Sequence, residues 1–171
     1  MRIKNYILKL NRKINKFKQR LINKKILKRT IIFQKSLSSC GANLSLFGDP
    51  IIFSPNRLNI GNNCKINHNV YINARSGVTI GDDVTLSYGS KIISTGYDVE
   101  HWVNTGEKKH IEDTPVFIGN HCWICADAII LPGVKITGEY VVIAAGAVVT
   151  KDITESRVVV AGSPAKIIKK I

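Results

Sequence analysis

A six-residue repeat of aliphatic side chains is the feature of this chain that most constrains its fold. In the C-terminal half the repeat occupies Ile118, Ile124, Ile130 and Ile136, then Ile143 after seven residues and Val149 after six. An amphipathic helix would place apolar residues three and four apart, and a half-buried strand would place them at every second position. The repeat therefore predicts a hexapeptide solenoid, which is an all-β fold built as a parallel β-helix.

The same repeat is present upstream, so the solenoid accounts for most of the chain. It occupies Ile60, Ile66, Ile72, Ile80, Leu86 and Ile92. A second, smaller residue recurs once per unit, as at Cys64, Ala128 and Ala147. One large and one small position per unit suit a narrow prism with flat faces and tight corners. We predict a β-helix domain over residues 56–171.

The net charge of the chain is concentrated in its N-terminal arm. The whole chain has a formal charge of +13, and residues 1–35 contain thirteen Lys and Arg but no Asp or Glu. The rest has 25 − 13 = 12 basic and 12 acidic residues, so the body is neutral. Apolar residues in this arm alternate steps of three and four, from Ile3 to Leu21. This spacing predicts a basic amphipathic helix over residues 1–30.

Two uses of this arm remain open. Residues 1–29 can lie in the headgroup region of an anionic membrane, with the aliphatic side chains inserted and the lysines on phosphates. Alternatively, the apolar stripe can pack on the solenoid or on other copies of the arm, because solenoid ends need a cap. A nucleic-acid partner is not expected, since the body lacks a basic groove with interleaved aromatics. No secretory signal or run of ~20 apolar residues is present, so we expect a cytoplasmic protein, with peripheral contact at the inner membrane face if the arm binds lipid.

Three segments depart from the repeat. Residues 31–55 contain short apolar runs and turn signals, and are predicted as an entry segment. Residues 95–115 interrupt the solenoid, and such a long loop in a compact repeat is more often functional than neutral. This excursion loop contains His101 and His110. The tail after Gly162 carries Ile and Lys in a pattern that predicts a short C-terminal helix.

Three segments carry a more specific signal, namely WICADAIILPGV, AAGAVVTKDI and the tail VVAGSPAKII. They resemble the left-handed β-helix acetyltransferases, which include galactoside and maltose O-acetyltransferases and enzymes that acetylate surface polysaccharides. The resemblance covers residues 56–171. It implies a left-handed helix, a homotrimer with active sites between neighbouring prisms, and acetyl-CoA as co-substrate. The expected activity is transfer of an acetyl group to a saccharide hydroxyl, on a surface polysaccharide or its precursor.

The resemblance further implies that a loop histidine is the general base, because imidazole both accepts and donates a proton near neutral pH. Where the galactoside enzymes have this base, the present chain has Tyr97. We therefore favour His101, in a stretch similar to the Asp-x-His pattern of polysaccharide O-acetyltransferases, with His110 as the alternative. Asp98 or Glu100 is expected to orient the imidazole. A backbone N–H of the solenoid wall is expected to bind the oxyanion.

Further site residues follow from the resemblance alone. Asn73 matches an acceptor-site asparagine, and the cofactor-binding set is Trp123, Ala126, Ala145, Lys151, Lys166 and Lys169. The small alanines would let the pantetheine arm approach the backbone, and the lysines would meet the phosphates. No metal is expected, and Cys122 and Cys125 are interpreted as structural residues of the repeat rather than as redox or zinc ligands.

Other functions remain possible for this fold. An acetyltransferase acting on xenobiotics or amino sugars would have the same signature. A zinc carbonic-anhydrase-like β-helix protein would need three histidines at regular coil spacing, which the sequence lacks. A non-catalytic scaffold bound to membrane through the arm is a third alternative.

Overall fold

The computed structural model describes the backbone of residues 2–171 and, within the first helix, the side chains from residue 11 onward. The chain forms two compact units, Met1–Lys35 and Ser36–Ile171. The first unit is helix α1 (Arg2–Ser36). Its described apolar side chains include Ile14, Phe17 and Leu21, which are 42%, 63% and 52% exposed. Within the described residues, no helix combines the length and apolar character needed to cross a bilayer.

The second unit is a parallel β-solenoid with three sheets, so the fold predicted from the six-residue repeat is confirmed. Sheet A contains β1 (Ser39–Cys40), β4 (Leu58–Ile60), β7 (Val78–Ile80), β10 (Val116–Ile118) and β13 (Lys135–Ile136). Sheet B contains β2 (Ser45–Leu46), β5 (Lys65–Ile66), β8 (Thr85–Leu86), β11 (Trp123–Ile124), β14 (Val141–Ile143), β16 (Val158–Gly162) and β17 (Ala165–Lys170). Sheet C contains β3 (Ile51–Phe53), β6 (Tyr71–Asn73), β9 (Lys91–Ile93), β12 (Ile129–Ile130) and β15 (Val148–Val149).

Each of the first five coils contributes one strand to each sheet, which explains the repeat. In sheet A, Ile60 pairs with Ile80, Ile80 with Ile118, and Ile118 with Ile136. All four side chains are at most 3% exposed, so they stack as one row along the axis of the prism. Because four successive coils present an aliphatic side chain at the same place, the core is continuous along this part of the prism.

The corner between sheets A and B requires glycine, because successive coils approach very closely there. A Cβ atom added at Gly41 would lie 2.6 Å from the carbonyl carbon of Gly61, and one added at Gly81 would lie 2.9 Å from that of Gly119. Real Cβ atoms do not approach backbone carbon so closely, so a larger residue would push the coils apart. Glycine at this corner is therefore a consequence of coil stacking.

Residues 31–55, predicted as an entry segment, are divided between two elements. Helix α1 continues to Ser36, and the solenoid begins at β1, where Ser39 pairs with Asn59 and Cys40 with Ile60. The two strands that follow, β2 and β3, complete the first coil. The turn signals in this segment correspond to the corners of that coil.

The predicted C-terminal helix is wrong. Residues Ala165–Lys170 form strand β17, which pairs antiparallel with β16 at the edge of sheet B. The Lys and Ile residues of the tail suggested one apolar and one basic face. However, the end of a β-solenoid offers unpaired backbone groups on its last strand, and pairing with β17 satisfies them. Tertiary hydrogen bonding therefore overrides the local helical pattern.

Candidate functional site

The excursion loop is an ordered antiparallel ribbon with a short helix at its tip. It leaves sheet C after β9 and returns to sheet A at β10. Tyr97 forms a single antiparallel bridge with His110, and the Ile111 N–H donates to the Gly96 carbonyl at 2.9 Å. Helix α2 (Val99–Thr105) connects the two arms of the ribbon. The two loop histidines therefore lie on different parts of one structured element.

Hydroxyl groups fasten the base of the loop to the solenoid. Thr95 Oγ1 donates to the Ile111 carbonyl at 2.9 Å, and Thr114 Oγ1 donates to the Ser94 carbonyl at 2.8 Å. The Ser94 N–H and Oγ both donate to the Asn73 carbonyl, at 2.9 and 2.8 Å. Asn73, the predicted acceptor-site residue, thus lies directly beside the root of the loop. These part-buried bonds give the loop a defined position relative to coils two and three.

His101 lies in the first turn of α2, where its backbone is firmly held. Its N–H donates to Asp98 Oδ1 at 2.9 Å, and its carbonyl accepts from Thr105 Oγ1 at 2.7 Å. Asp98 is the N-cap of α2, so one of its oxygens is used by the backbone rather than by the imidazole. The side chain of His101 is half-buried. Within the described part of the chain, its ring nitrogens have no hydrogen-bond partner.

His110 has a different environment in the ribbon. Its ring stacks on Tyr97 with 4.5 Å between centroids and 23° between planes. Its Nδ1 atom is buried and has no hydrogen-bond partner among the described residues. The Lys108 ammonium lies 5.8 Å from the centre of the Tyr97 ring and 5.5 Å from that of Trp102. Burying a ring nitrogen without a hydrogen-bond partner costs free energy. A bound group could supply the missing partner of His110 Nδ1.

Trp123 lies on the outer face of sheet B in a row that ends at Lys169. Trp123 pairs with Val142, Val142 with Val159, and Val159 with Lys169. The residues flanking Val142 and Val159 on their own strands are buried, so the members of this row point outward. The Trp123 indole N–H donates to Ser87 Oγ at 2.9 Å, which fixes the ring against the sheet. Ser87 could not be identified from the sequence, because only the fold brings the two positions together.

A β-bulge places the two predicted tail lysines on the same outer face. Lys166 pairs with Ala161 and Lys169 with Val159, with a register shift between Val159 and Val160. Residues three apart on a regular strand point to opposite faces. The bulge inserts one unpaired residue, Ile168, and this restores Lys169 to the face that Lys166 occupies. The structure therefore brings Lys166, Lys169 and Trp123 onto one surface.

Ala126 and Ala145 lie at the corner between sheets B and C on successive coils. The Gly146 N–H donates to the Ala126 carbonyl at 2.9 Å, so the two turns stack directly. A Cβ atom added at Gly146 would meet nothing within 4 Å, and Ala145 is exposed. The corner is thus open, and its backbone is accessible. Lys151 is exposed but follows β15, at the opposite end of sheet C, so it does not join this group.

A polar cleft of about 590 Å³ lies at the corner between sheets C and A. Its lining contains no hydrophobic side chain and consists of Ser54, Asn56, Arg57, Arg75, Ser76, Glu112 and Asp113. The acidic pair belongs to the excursion loop, and the rest belongs to the first two coils. The sequence reading did not identify Arg57 and Arg75. Their separation of eighteen residues, about one coil, is the signal that would have placed them together.

Cys122 lies at a buried position of the repeat, and Cys125 is half-buried beside it. Cys122 is 1% exposed, and burial raises the pKa of its thiol to about 11. Burial also raises the pKa of Cys125, which is a free thiol like Cys122. Reactive cysteines have depressed pKa values, so neither thiol has the character of a nucleophile. Among the described residues, no three His, Cys, Asp or Glu side chains are grouped closely enough to hold a metal ion.

Two family models match the solenoid. Residues 115–151 match the model described as bacterial transferase hexapeptide (six repeats). Residues 58–92 match the model described as hexapeptide repeat of succinyl-transferase. The two matched segments lie on either side of the excursion loop, in agreement with the interruption of the repeat.

Characterised proteins show the same relationship over most of the chain. The galactoside O-acetyltransferase of Escherichia coli K12 is 35% identical over 145 residues, which cover 84% of this chain and 69% of that protein. A solved structure of galactoside acetyltransferase in complex with coenzyme A has a TM-score of 0.78 at 33% identity, covering 85% of this chain and 71% of that one. The maltose O-acetyltransferase of Clostridium difficile 630 has a TM-score of 0.74 at 31% identity, covering 84% and 75% of the two chains.

Proposed function

Because the chain belongs to the hexapeptide-repeat acetyltransferases, with a left-handed β-helix and acyltransferase activity, we propose that it acetylates a hydroxyl group of a saccharide. Two relatives are named for a galactoside and for maltose, and one of them was solved with coenzyme A. The observation that carries the proposal is the ordered loop with two histidines, which interrupts the solenoid beside Asn73. The acetyl donor is acetyl-CoA, and the acceptor is a surface polysaccharide or its precursor.

His101 is the proposed general base. Its ring nitrogens are unpaired within the described chain, and its backbone is held by the N-cap Asp98, so the imidazole is both available and positioned. His101 accepts the proton of the acceptor hydroxyl as that oxygen attacks the thioester carbonyl. It then returns the proton to the sulfur as the carbon–sulfur bond breaks, so that the ester and the free thiol form together. A solenoid N–H is the proposed donor to the oxyanion.

The outer face of sheet B and its corner with sheet C fit acetyl-CoA. The open corner at Ala126 and Ala145 lets a thin pantetheine arm approach the backbone. Trp123 offers an exposed aromatic ring, and Lys166 and Lys169 provide positive charge on the same face for the phosphates. Lys151 lies at the far end of sheet C, away from Lys166 and Lys169. Its proposed partner is therefore a part of acetyl-CoA other than the one that contacts these two lysines.

The histidine assignment can be tested with three matched variants of the full chain. His101→Ala should lower acetyl transfer to a saccharide by about 10² to 10⁴-fold. The KM for acetyl-CoA should change little, because His101 is not part of the donor-binding face. His68→Ala is the control, since His68 is an exposed histidine on another coil. Full activity of His101→Ala together with a large loss in His110→Ala would move the base to His110.

We also propose that the active unit is a homotrimer. The outer face of sheet C exposes apolar side chains that a solvated prism would not need. Ile51 and Phe53 are 54% and 53% exposed, and Phe53 contacts Tyr71 with 5.7 Å between ring centroids. Light scattering of the purified chain should give three times the monomer mass, and Phe53→Ser should lower it. A wild-type monomer with full activity would contradict this proposal.

Helix α1 is the proposed contact with an anionic membrane. Its described apolar side chains Ile14, Phe17 and Leu21 share one helical face and are all exposed, while Lys and Arg occupy the flanks. A helix with this pattern lies in the interface plane and binds acidic lipids through its basic residues. Such binding would hold the enzyme at the inner membrane face, near lipid-linked glycan precursors.

Vesicle sedimentation tests the membrane contact. The chain should bind vesicles that contain phosphatidylserine and should bind pure phosphatidylcholine vesicles much more weakly, with the difference reduced by salt. Phe17→Ser should weaken binding, whereas Gln19→Ser, on the opposite face, should not. If removal of residues 1–29 leaves vesicle binding unchanged but alters the oligomer mass, the arm serves assembly instead.

A further inference from the structure

The polar cleft at the corner between sheets C and A has a composition that restricts its ligand. Ligand pockets are mostly apolar with a few polar groups, but this cleft of about 590 Å³ is lined by polar and charged residues throughout. A ligand that fits it must itself be rich in hydroxyl or charged groups. A saccharide ring of one or two units satisfies this requirement, whereas a flat hydrophobic compound does not.

Two guanidinium groups in the cleft are available for an anion. Arg57 and Arg75 lie at the same corner of successive coils, and Arg57 Nη1 donates to the Arg75 carbonyl at 2.6 Å. This bond fixes the Arg57 side chain at the cleft, and its other N–H groups have no hydrogen-bond partner among the described residues. No carboxylate of the described chain lies within 4.0 Å of either guanidinium, although Glu112 and Asp113 line the same cleft. Positive and negative groups thus line the same cleft without forming a direct ion pair among the described residues.

The excursion loop connects this cleft to the proposed site of chemistry. Glu112 and Asp113 lie two and three residues after His110 in the loop, and the base of the loop is bonded to Asn73 through Ser94. The Arg75 N–H in turn donates to Asn73 Oδ1 at 3.1 Å. The cleft, Asn73 and the loop therefore form one continuous region of the solenoid.

We propose that the saccharide acceptor is acidic, with a carboxylate or phosphate group that binds Arg57 and Arg75. This inference rests on the proposed acetyltransferase function and names its substrate class. Guanidinium groups bind carboxylate and phosphate through paired, charge-assisted hydrogen bonds, which are stronger than neutral ones. The ring hydroxyls of the same acceptor donate to the carboxylates of Glu112 and Asp113. An uncharged sugar would leave the two guanidinium groups without a partner, so the cleft discriminates against it.

The test is a comparison of acceptors with the full chain and acetyl-CoA. Methyl glucoside is the neutral acceptor, methyl glucuronide carries a carboxylate, and glucose 6-phosphate carries a phosphate. We expect kcat/KM to be about 10-fold to 100-fold higher for at least one acidic acceptor than for the neutral one. The better of the two acidic acceptors identifies the anion that the cleft accepts.

Variants then assign the preference to the arginines. Arg75→Gln and the double variant Arg57→Gln/Arg75→Gln should bring the acidic-to-neutral ratio close to one, mainly through KM. Arg75→Lys should retain part of the preference, because it keeps the charge but loses the planar fork. Arg20→Gln, which removes one positive charge from helix α1, should keep the wild-type ratio. Thermal unfolding of each variant confirms that it is folded.

Two results would overturn the proposal, and they are distinguishable. If the wild type acetylates neutral and acidic sugars equally well, the acceptor is not selected by charge, while the acetyltransferase function stands. The same conclusion holds if the acidic preference survives in the double variant. If the wild type acetylates none of the three sugars although it hydrolyses or exchanges acetyl-CoA, the saccharide function itself is wrong.

Discussion

The position of Lys169 on the outer face of sheet B makes a sharp prediction about acetyl-CoA binding. Lys169 lies opposite Val159 and shares a face with Trp123, whereas its neighbour Lys170 lies opposite Val158, whose side chain is buried. The two lysines have the same charge and are adjacent in sequence, yet the strand directs them to opposite faces. Lys169→Gln should therefore weaken acetyl-CoA binding, and Lys170→Gln is its matched control.

The expected change in the Kd for coenzyme A follows from the exposure of Lys169. Both tail lysines of the proposed site, Lys166 and Lys169, are exposed, so their attraction to a phosphate is that of charges in water. Two unit charges 4 Å apart in water interact by about 1 kcal/mol. This energy corresponds to about a fivefold rise in Kd for either single variant, and about 25-fold for the double variant. Lys170→Gln should change Kd by less than about twofold.

Calorimetric titration of coenzyme A measures these constants at low salt and at 1 M NaCl. At the higher concentration the screening length falls to about 3 Å, so the difference between wild type and Lys169→Gln should largely vanish. Acetyl-pantetheine, which has no phosphates, should serve as a donor equally well with wild type and variant. An equal loss in Lys170→Gln would refute the facial assignment, because the lysines would then act only through net charge. An unchanged Kd in Lys169→Gln would remove the tail from the donor site.

Three further predictions concern the stability and reactivity of the solenoid. Ile124→Ala, at a fully buried position, should lower the free energy of unfolding by about 2–5 kcal/mol in urea titrations, whereas Ile168→Ala, 64% exposed, should cost less than about 0.5 kcal/mol. Iodoacetamide should leave Cys122 unmodified at pH 8 until the chain unfolds. Because burial raises its pKa from 9.0 to about 11, the stability that this thiol contributes is present below pH 9 and lost as pH rises towards 11. The Asn62 backbone N–H, which donates to Asp82 at 2.6 Å, and then the Asn62 side chain lower the pKa of Asp82 below 3.8. The stability that the Asp82 carboxylate contributes is therefore present above that pH and lost on acidification. The melting temperature of Asp82→Asn should fall less steeply below pH 4 than that of the wild type.

The sequence predicted the solenoid and its core because the information is local and repeated. The spacing of Ile118, Ile124 and Ile130 indicates the repeat without reference to any distant residue, and all three side chains are fully buried. The interruption at residues 95–115 was visible for the same reason. The structure inside this loop could not be predicted from the sequence. The Tyr97–His110 bridge joins residues thirteen apart through backbone hydrogen bonds, which leave no pattern in the side chains.

The C-terminal tail shows how a local pattern misleads. Three Ile residues and three Lys residues of the tail fall on opposite sides of a short helix, namely Ile167, Ile168 and Ile171, and Lys166, Lys169 and Lys170. However, the last strand of the solenoid presents unpaired backbone groups to this segment. A helix satisfies only its own hydrogen bonds, whereas a strand satisfies its own and those of the edge beside it. The need to cover an open edge arises only after the coils have stacked, so it could not be read from the tail itself.

The sequence by itself determined the coil, its core, the basic helical arm and the place where the solenoid is interrupted, because each depends on residues close together in the chain. The tertiary structure alone decided which surfaces those residues share. It placed Trp123 and Lys169 in one row through the bulge at Ile168, and it brought the acidic residues of the loop to the cleft that Arg57 and Arg75 line. Both arrangements depend on the register between coils, and register is fixed by backbone pairing between residues that are far apart in sequence.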